Sequence, residues 1–265
     1  MNKSRLLIMS LVTLYCSVAL ATEEGAFYLL EQEEIDMART PQYEESVRHA
    51  IATARQSRLG VAFEWQTSQH GNTYYYLSRL QSPQRPPVSN IETHTHAHKL
   101  ATHLDRDVIN KFLSITASAV RERKLFVLEH TPEFDYLPGE PLTNTKFNYI
   151  DIVQVHASRV TEFKQATKRT IAALGKGAYP IGFNTFQIIE GAPNTTNGPS
   201  YYLISPYITR SHFYEKHPLV DTVIQAIGKT AALDLFAGQQ QNLVSGHSFD
   251  HIRRFDLSYQ VTVPP

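Results

Sequence analysis

The chain has 265 residues with 25 basic and 25 acidic side chains, so its formal net charge is zero. This balance argues against a dedicated nucleic-acid-binding protein, which usually carries a net positive face. Hydrophobic residues make up 42% of the chain, a share typical of a folded protein rather than a disordered one. The single cysteine excludes a disulfide framework and any zinc or iron–sulfur site built from several cysteines.

The N-terminus has the three parts of a secretory signal. Lys3 and Arg5 form a basic segment, an apolar run covers residues 6–20, and a small-x-small triplet occupies 19–21. The run is shorter than the roughly 20 residues that a transmembrane helix needs, so we expect cleavage of residues 1–21. Removing these 21 residues from the 265 leaves 244, with 23 basic and 25 acidic side chains and no cysteine. We therefore predict an exported protein, periplasmic or secreted, with no membrane span after cleavage.

An internal repeat organises the rest of the chain. Placing residues 43–71 over residues 163–191, at a constant offset of 120, brings aromatic, basic and glycine positions together in the same order. Self-similarity of this kind indicates that one structural unit occurs more than once. We interpret the chain as two copies, residues 24–139 and 146–265, joined by a linker at 140–145.

The first copy is predicted to begin with a strand and then to alternate helices and strands. Apolar Val108, Phe112, Ile115 and Ala119 recur at the spacing of one helix face, and residues 70–72 have the composition of a hairpin turn. In chain order we predict a strand over 26–30, a helix over 43–54, strands over 61–67 and 73–80, a helix over 105–123 and a strand over 124–130.

The second copy is predicted to repeat this order. Gly175 and Gly177 end its first helix. After a longer turn in this copy, residues 201–203 are placed over residues 75–77. In chain order we predict a strand over 149–156, a helix over 160–174, strands over 183–189 and 201–205, a helix over 219–243 and a strand over 252–263.

The order β-α-β-β-α-β is that of the ferredoxin-like fold. Such a unit covers only one face of its four-stranded sheet with helices, so the other face must be buried by a partner. Because the chain holds two copies, we predict an α+β protein of two tandem ferredoxin-like repeats, with their sheets packed face to face. One copy supplies the partner of the other, so a monomer is sufficient for the fold, and further association through the outer helices stays open.

This pattern resembles the dimeric α/β-barrel superfamily, which includes antibiotic-biosynthesis-type monooxygenases, NIPSNAP-like proteins and haem-handling enzymes such as chlorite dismutase. The likeness spans both copies, is similar to secreted bacterial members, and contains no catalytic motif. It implies a pseudo-dimeric α/β barrel, and it supports the fold more than a function. The second copy carries most of it, in residues 149–155, 163–174, 181–183, 190–191, 201–203, 217–219 and 256–259.

A cavity between the two sheets is the first candidate for a binding site. Small-molecule pockets are mostly aromatic or aliphatic with a few polar groups, and such residues lie on or beside the predicted strands. Side chains of the same kind can instead simply fill the interface between sheets. The candidate pocket residues are Trp65, Tyr74, Tyr76, Gln154, His156, Asn184, Phe186 and Tyr202.

Three alternating histidines form the second candidate. His94, His96 and His98 lie in a segment predicted to be a loop, and an extended backbone would place them on one side. Imidazoles bind zinc, copper, nickel or iron, so the segment is a candidate metal site. The alternative is an exposed polar loop that binds nothing specific.

Haem is a further alternative that the resemblance brings in. Axial ligation would need a histidine facing a cavity, and His217, His247 and His251 are the candidates in the second copy. No flanking motif distinguishes one of them, so the default expectation is a protein without cofactor.

Three functions stay open on this evidence. The leading hypothesis is an exported protein that binds a small hydrophobic or aromatic molecule between its sheets. The second is an oxygenase-like or haem-dependent enzyme of the same superfamily, and the third is a structural or interaction module with a filled interface.

Overall fold

The strands and helices follow the same succession in both halves of the chain. The computed structural model describes residues 25–57, 64–80, 88–138, 145–191, 197–211 and 219–260. The first half contains β1 (Phe27–Ile35), α1 (Thr40–Gln56), β2 (Gln66–His70), β3 (Thr73–Arg79), α2 (His96–Ala101), α3 (Arg106–Ala119) and β4 (Val120–His130). The second half contains β5 (Phe147–Val155), α4 (Val160–Lys176), β6 (Asn184–Glu190), β7 (Ser200–Tyr207), α5 (Leu219–Ile227), α6 (Lys229–Gln241) and β8 (Leu243–Arg253).

The eight strands close into one antiparallel barrel, in the order β1-β3-β2-β8-β5-β7-β6-β4. Each half contributes four neighbouring strands, and two seams, β2 with β8 and β4 with β6, join the halves. The predicted α+β class is confirmed. The barrel that the resemblance implied is also confirmed: the two sheets are joined at both edges, and residues of both halves pack together inside it.

Several element boundaries differ from the prediction. The helix predicted over 105–123 ends at Ala119, and β4 begins at Val120. The helix predicted over 219–243 is broken at Gly228, whose φ of +87° lies in the left-handed region that favours glycine. The last strand is Leu243–Arg253, so the strand predicted over 252–263 was placed too late. None of the described helices is long and apolar enough to cross a membrane.

The alternation of side chains along the strands separates the inside of the barrel from its helix-covered outside. The inside is filled by aromatic and aliphatic residues from both halves. On the outside, each half has its own core between the sheet and the helices. The buried residues of the inner cluster are Ala26, Tyr28, Leu30, Leu128, Ile150, Phe186, Ile188 and Tyr202.

Each half also covers part of the other through the segment that follows its last strand. Tyr259, after β8, forms a backbone bridge with Trp65 of the first half, and Tyr136, after β4, does the same with Phe183 of the second. The threonine hydroxyls of β2 and β6 donate to these crossing segments, Thr67 to the Leu257 carbonyl at 2.6 Å and Thr185 to the Phe134 carbonyl at 2.8 Å. The two helix-side cores therefore each need the opposite half of the chain.

Gly191 provides a test of the β4–β6 seam. Its φ is +83°, and an added Cβ would lie 2.1 Å from the Leu125 carbonyl oxygen. Gly71 also has a positive φ, +59°, but a Cβ there would have open space. We expect Gly71→Ala to cost about 1 kcal/mol through backbone strain. Gly191→Ala should cost about 1–3 kcal/mol more, because the backbone of the seam must move. Urea denaturation of both variants measures this difference, and equal losses would contradict the tight seam.

Candidate functional site

A cavity of about 450 Å³ lies in the second half, outside the barrel, between the sheet and its helices. Its floor is the outer face of β5 and β7, with Asp151 and Leu203 side by side. Residues at helical spacing on α4, including Thr170 and Leu174, form one wall of the cavity, and Phe236 of α6 forms part of a second wall. We call this cavity the second-half pocket.

The lining of the second-half pocket is predominantly apolar, with a few polar groups. The Gln239 amide donates to the Thr170 hydroxyl at 3.0 Å, and that hydroxyl donates to the Ala166 carbonyl at 3.1 Å. These groups therefore satisfy one another on the helix side. Among the described lining residues, Asp151 is the one with a charged side chain.

Asp151 receives little compensation for its burial. Ser248, directly opposite on β8, donates its hydroxyl to Oδ1 of Asp151. Burial raises the pKa of the Asp151 carboxyl, and the Ser248 hydrogen bond opposes this only in part. A partly desolvated carboxylate in an apolar cavity is a common feature of binding and catalytic sites.

The first half has a carboxylate at the matching position. Glu31 lies four residues before the end of β1, as Asp151 does in β5. Glu31 is paired across the sheet with Tyr76, and Asp151 is paired with Leu203. The sheet register thus matches Tyr76 with Leu203, whereas the alignment of residues 75–77 over residues 201–203 placed Tyr76 over Tyr202, one position away.

The cross-strand pair two residues further along the strand also has smaller side chains in the second half than in the first. Glu33 lies opposite Arg123 in the first half, and the matching pair in the second half is Val153 with Gly246. The second half therefore has smaller side chains at these positions. This difference in volume explains why the space between sheet and helices is open in one half and filled in the other.

In the first half, the space is occupied by a buried polar cluster around Glu31. His96 Nδ1 lies 2.7 Å from Glu31 Oε2, and Arg123 Nε lies 3.2 Å from Oε1. The His96 ring stacks on Tyr76 with centroids 3.9 Å apart. Burial alone would lower the pKa of His96, but the charge and hydrogen bond of Glu31 overcome this and raise it. The carboxylate is therefore matched by cationic partners from the protein itself.

Of the predicted pocket residues, Trp65, Tyr74 and Tyr76 lie together in the helix-side core of the first half. The Trp65 indole donates to the Leu257 carbonyl at 3.0 Å and stacks on Tyr259. Tyr74 donates its hydroxyl to Glu44 at 2.6 Å. The sequence identified aromatic strand residues correctly, and the structure uses these three to fill a core.

The other five predicted pocket residues lie elsewhere. Phe186 and Tyr202 are inside the barrel and at most 2% exposed. The Asn184 amide donates to Asp135 at 3.3 Å, Gln154 is half-buried on β5, and His156 is exposed after that strand. The structure does not bring the eight residues together, and none of them lines the second-half pocket.

The three alternating histidines do not lie on an extended loop. His94 ends a 3-10 helix, and His96 begins α2. His96 is buried against Glu31, whereas His98 is exposed. The predicted loop is wrong because Thr95 caps α2, its hydroxyl accepting from the His98 N–H at 3.2 Å. Within the described ranges, no group of three or more His, Cys, Asp or Glu side chains could hold a metal ion.

The haem hypothesis does not fit the described lining of the pocket. That lining contains no histidine, cysteine or methionine to serve as an axial ligand. His251 is on β8 and buried beside Tyr75, with ring centroids 4.3 Å apart. His247 is exposed on the same strand, and His217 lies outside the described residues.

The residues that line the second-half pocket are not among those predicted from the sequence. One signal was available: Asp151 is an acidic residue at the centre of a strand whose neighbours, Ile150 and Ile152, are apolar. The small size of Leu203 and Gly246 had no signal of its own, because it matters only relative to the matching positions in the first half.

Comparison with known proteins supports the fold. No protein-family model and no curated protein matches this chain. A putative monooxygenase from Lactobacillus acidophilus NCFM matches with a TM-score of 0.50 at 10% identity, covering 87% of this chain and 94% of that one. Chlorite dismutase from Candidatus Nitrospira defluvii, in complex with imidazole, matches with a TM-score of 0.52 at 9% identity, covering 89% and 94%. At such low identity, the likeness shows an α+β-barrel fold and nothing about activity.

The burial of Asp151 should make stability depend on pH. Because its folded-state pKa is raised above 3.8, the folded protein loses stability as pH rises from 3.8 through the folded-state pKa. The stability of Asp151→Asn relative to that of the wild type should therefore increase as the pH rises from acidic to neutral. Urea denaturation across this range measures the difference. The exposed Asp221→Asn is the control, and a pH-independent difference for Asp151→Asn would contradict the burial effect.

Proposed function

We propose that this chain binds a small, mostly apolar molecule in the second-half pocket. The observation that carries the proposal is the cavity of about 450 Å³, which falls within the size range of small-molecule sites. Its apolar walls and few polar groups have the usual composition of such sites. The proposal keeps the hydrophobic ligand inferred from sequence and moves it from the inside of the barrel to the outside, because Phe186 and Tyr202 fill the interior.

Filling the pocket tests this proposal. The probe is N-phenyl-1-naphthylamine, a neutral dye whose fluorescence rises in apolar surroundings. Leu203→Tyr introduces the residue that the first half has at the matching position, Tyr76. We expect it to weaken dye binding by about tenfold or more, because the ring occupies the cavity.

The matched control is Leu233→Tyr, an equal change on the exposed face of α6, where the leucine is 51% exposed. It should leave the affinity for the dye unchanged. Circular dichroism and thermal unfolding establish that both variants are folded. Equal dye binding by the wild type and a folded Leu203→Tyr variant would contradict a ligand in this pocket.

An oxygenase-like activity is our second proposal. It is supported by the Asp151 carboxyl, which is positioned to accept a proton from a molecule in the pocket. The barrel shared with the putative monooxygenase is compatible with it. Oxygen consumption in the presence of electron-rich phenols tests this activity. Consumption that persists in Asp151→Asn would remove the carboxyl from the reaction.

We also propose that the chain is an exported monomer made of two tandem ferredoxin-like repeats. The matching crossing hydrogen bonds of Thr67 and Thr185 support the repeats. Both barrel seams form within one chain, which supports a monomer. If the signal is cleaved as proposed, N-terminal sequencing of the protein from a periplasmic or secreted fraction should begin at Thr22. An intact Met1 in that fraction would contradict cleavage.

A further inference from the structure

The geometry points to an organic cation as the ligand class of the second-half pocket, namely an apolar or aromatic body that carries an ammonium group. This inference rests on the proposed function and adds the charge of the ligand to it. The group that selects the charge is Asp151.

The charge distribution around the pocket is one-sided. Asp151 contributes a carboxylate, and the described lining residues contribute no Lys, Arg or His to balance it. Lys164 and Lys168 lie over the Phe134 ring, with ammonium nitrogens 5.8 and 5.7 Å from its centroid, but they do not line the cavity. A half-buried carboxylate to which the described lining residues offer no cationic partner is costly, so a ligand that brings the positive charge gains most from this site.

The first half shows how this fold satisfies a carboxylate at the same position. Glu31 has an imidazole at 2.7 Å and a guanidinium at 3.2 Å, from His96 and Arg123. Where the first half places Glu33 opposite Arg123, the second half places Val153 opposite Gly246. The second half thus has an acidic residue at this position without this guanidinium, and it has an open cavity beside that residue.

The carboxylate can still accept a hydrogen bond. In the described part of the chain, its one hydrogen bond is the Ser248 hydroxyl on Oδ1. An ammonium group in the pocket could therefore donate to Oδ2.

The walls of the pocket favour the same ligand class. Aromatic rings line it from several elements, and the faces of such rings attract cations, especially where water is excluded. An organic cation would therefore meet a carboxylate at one end and aromatic side chains along its body. An organic anion would meet the same carboxylate as a repulsive charge. The aromatic lining residues are Phe134, Tyr149, Phe163, Tyr179, Phe183 and Phe236.

Three probes with the same naphthalene body test the inference. They are 1-naphthylmethylammonium, neutral 1-naphthylmethanol and 1-naphthoate, and isothermal titration calorimetry at neutral pH gives their affinities for the full protein. We expect the cation to bind about tenfold more tightly than the neutral probe, as a hydrogen bond to a charged group allows. The anion should bind more weakly than both.

Asp151→Asn should remove the preference and leave the affinity for the neutral probe nearly unchanged. The control is Asp234→Asn, which removes an exposed charge on α6 outside the pocket and should keep the preference.

Equal binding of the cationic and neutral probes by the wild type would overturn the cation assignment while leaving the pocket in place. If Asp151→Asn still prefers the cationic probe over the neutral one, a charged group other than Asp151 causes the preference, and the role of Asp151 is contradicted. Absence of binding by all three probes would contradict the proposed binding of small apolar molecules in the second-half pocket.

Discussion

The closure of the barrel is the constraint on which the rest of this structure depends. A four-stranded ferredoxin-like sheet has two open edges and one face without helices, and both are unfavourable in water. Pairing β2 with β8 and β4 with β6 removes all four edges of the two halves together. The same closure turns the uncovered faces inward, where Phe186 and Tyr202 pack with residues of the first half. The interior is thus filled by packed side chains, and the cavity lies outside the barrel, under the helices.

The same strand position has different surroundings in the two halves. Glu31 and Asp151 occupy matching places on the outer face, and a carboxylate there is partly or fully removed from water. In the first half, His96 and Arg123 neutralise it and a tyrosine closes the space, so the cluster is part of the core. In the second half, Leu203 takes the place of the tyrosine and the carboxylate faces a cavity. Smaller side chains at a few paired positions are sufficient to leave a cavity where the first half has a core.

Much of this fold could be predicted from the sequence, and the reason is local. The periodic apolar positions of α1 and α4 marked both helices closely, since helix periodicity is a property of one continuous segment. The late placement of the last strand has the opposite cause: β8 begins directly after α6, without a loop to mark the change. The loop predicted for the histidine segment is wrong because histidines at alternate positions do not distinguish an extended loop from the short helix that Thr95 caps there.

The pocket could not be predicted, because it depends on which residues share a face after the sheet has formed. A slip of one residue moves every side chain of a strand to the opposite face. Placing Tyr76 over Tyr202 was such a slip, and it matched an outer residue with an inner one. With the register given by the β1–β3 and β5–β7 pairs, Tyr76 corresponds to Leu203 instead, and the loss of a ring at the floor of the second half becomes visible. The structural difference between the halves therefore lies in which side chains occupy matching positions on the outer face of the sheet. Sequence similarity between the two halves, from which the fold was predicted, carries no information on that difference until the strands are paired.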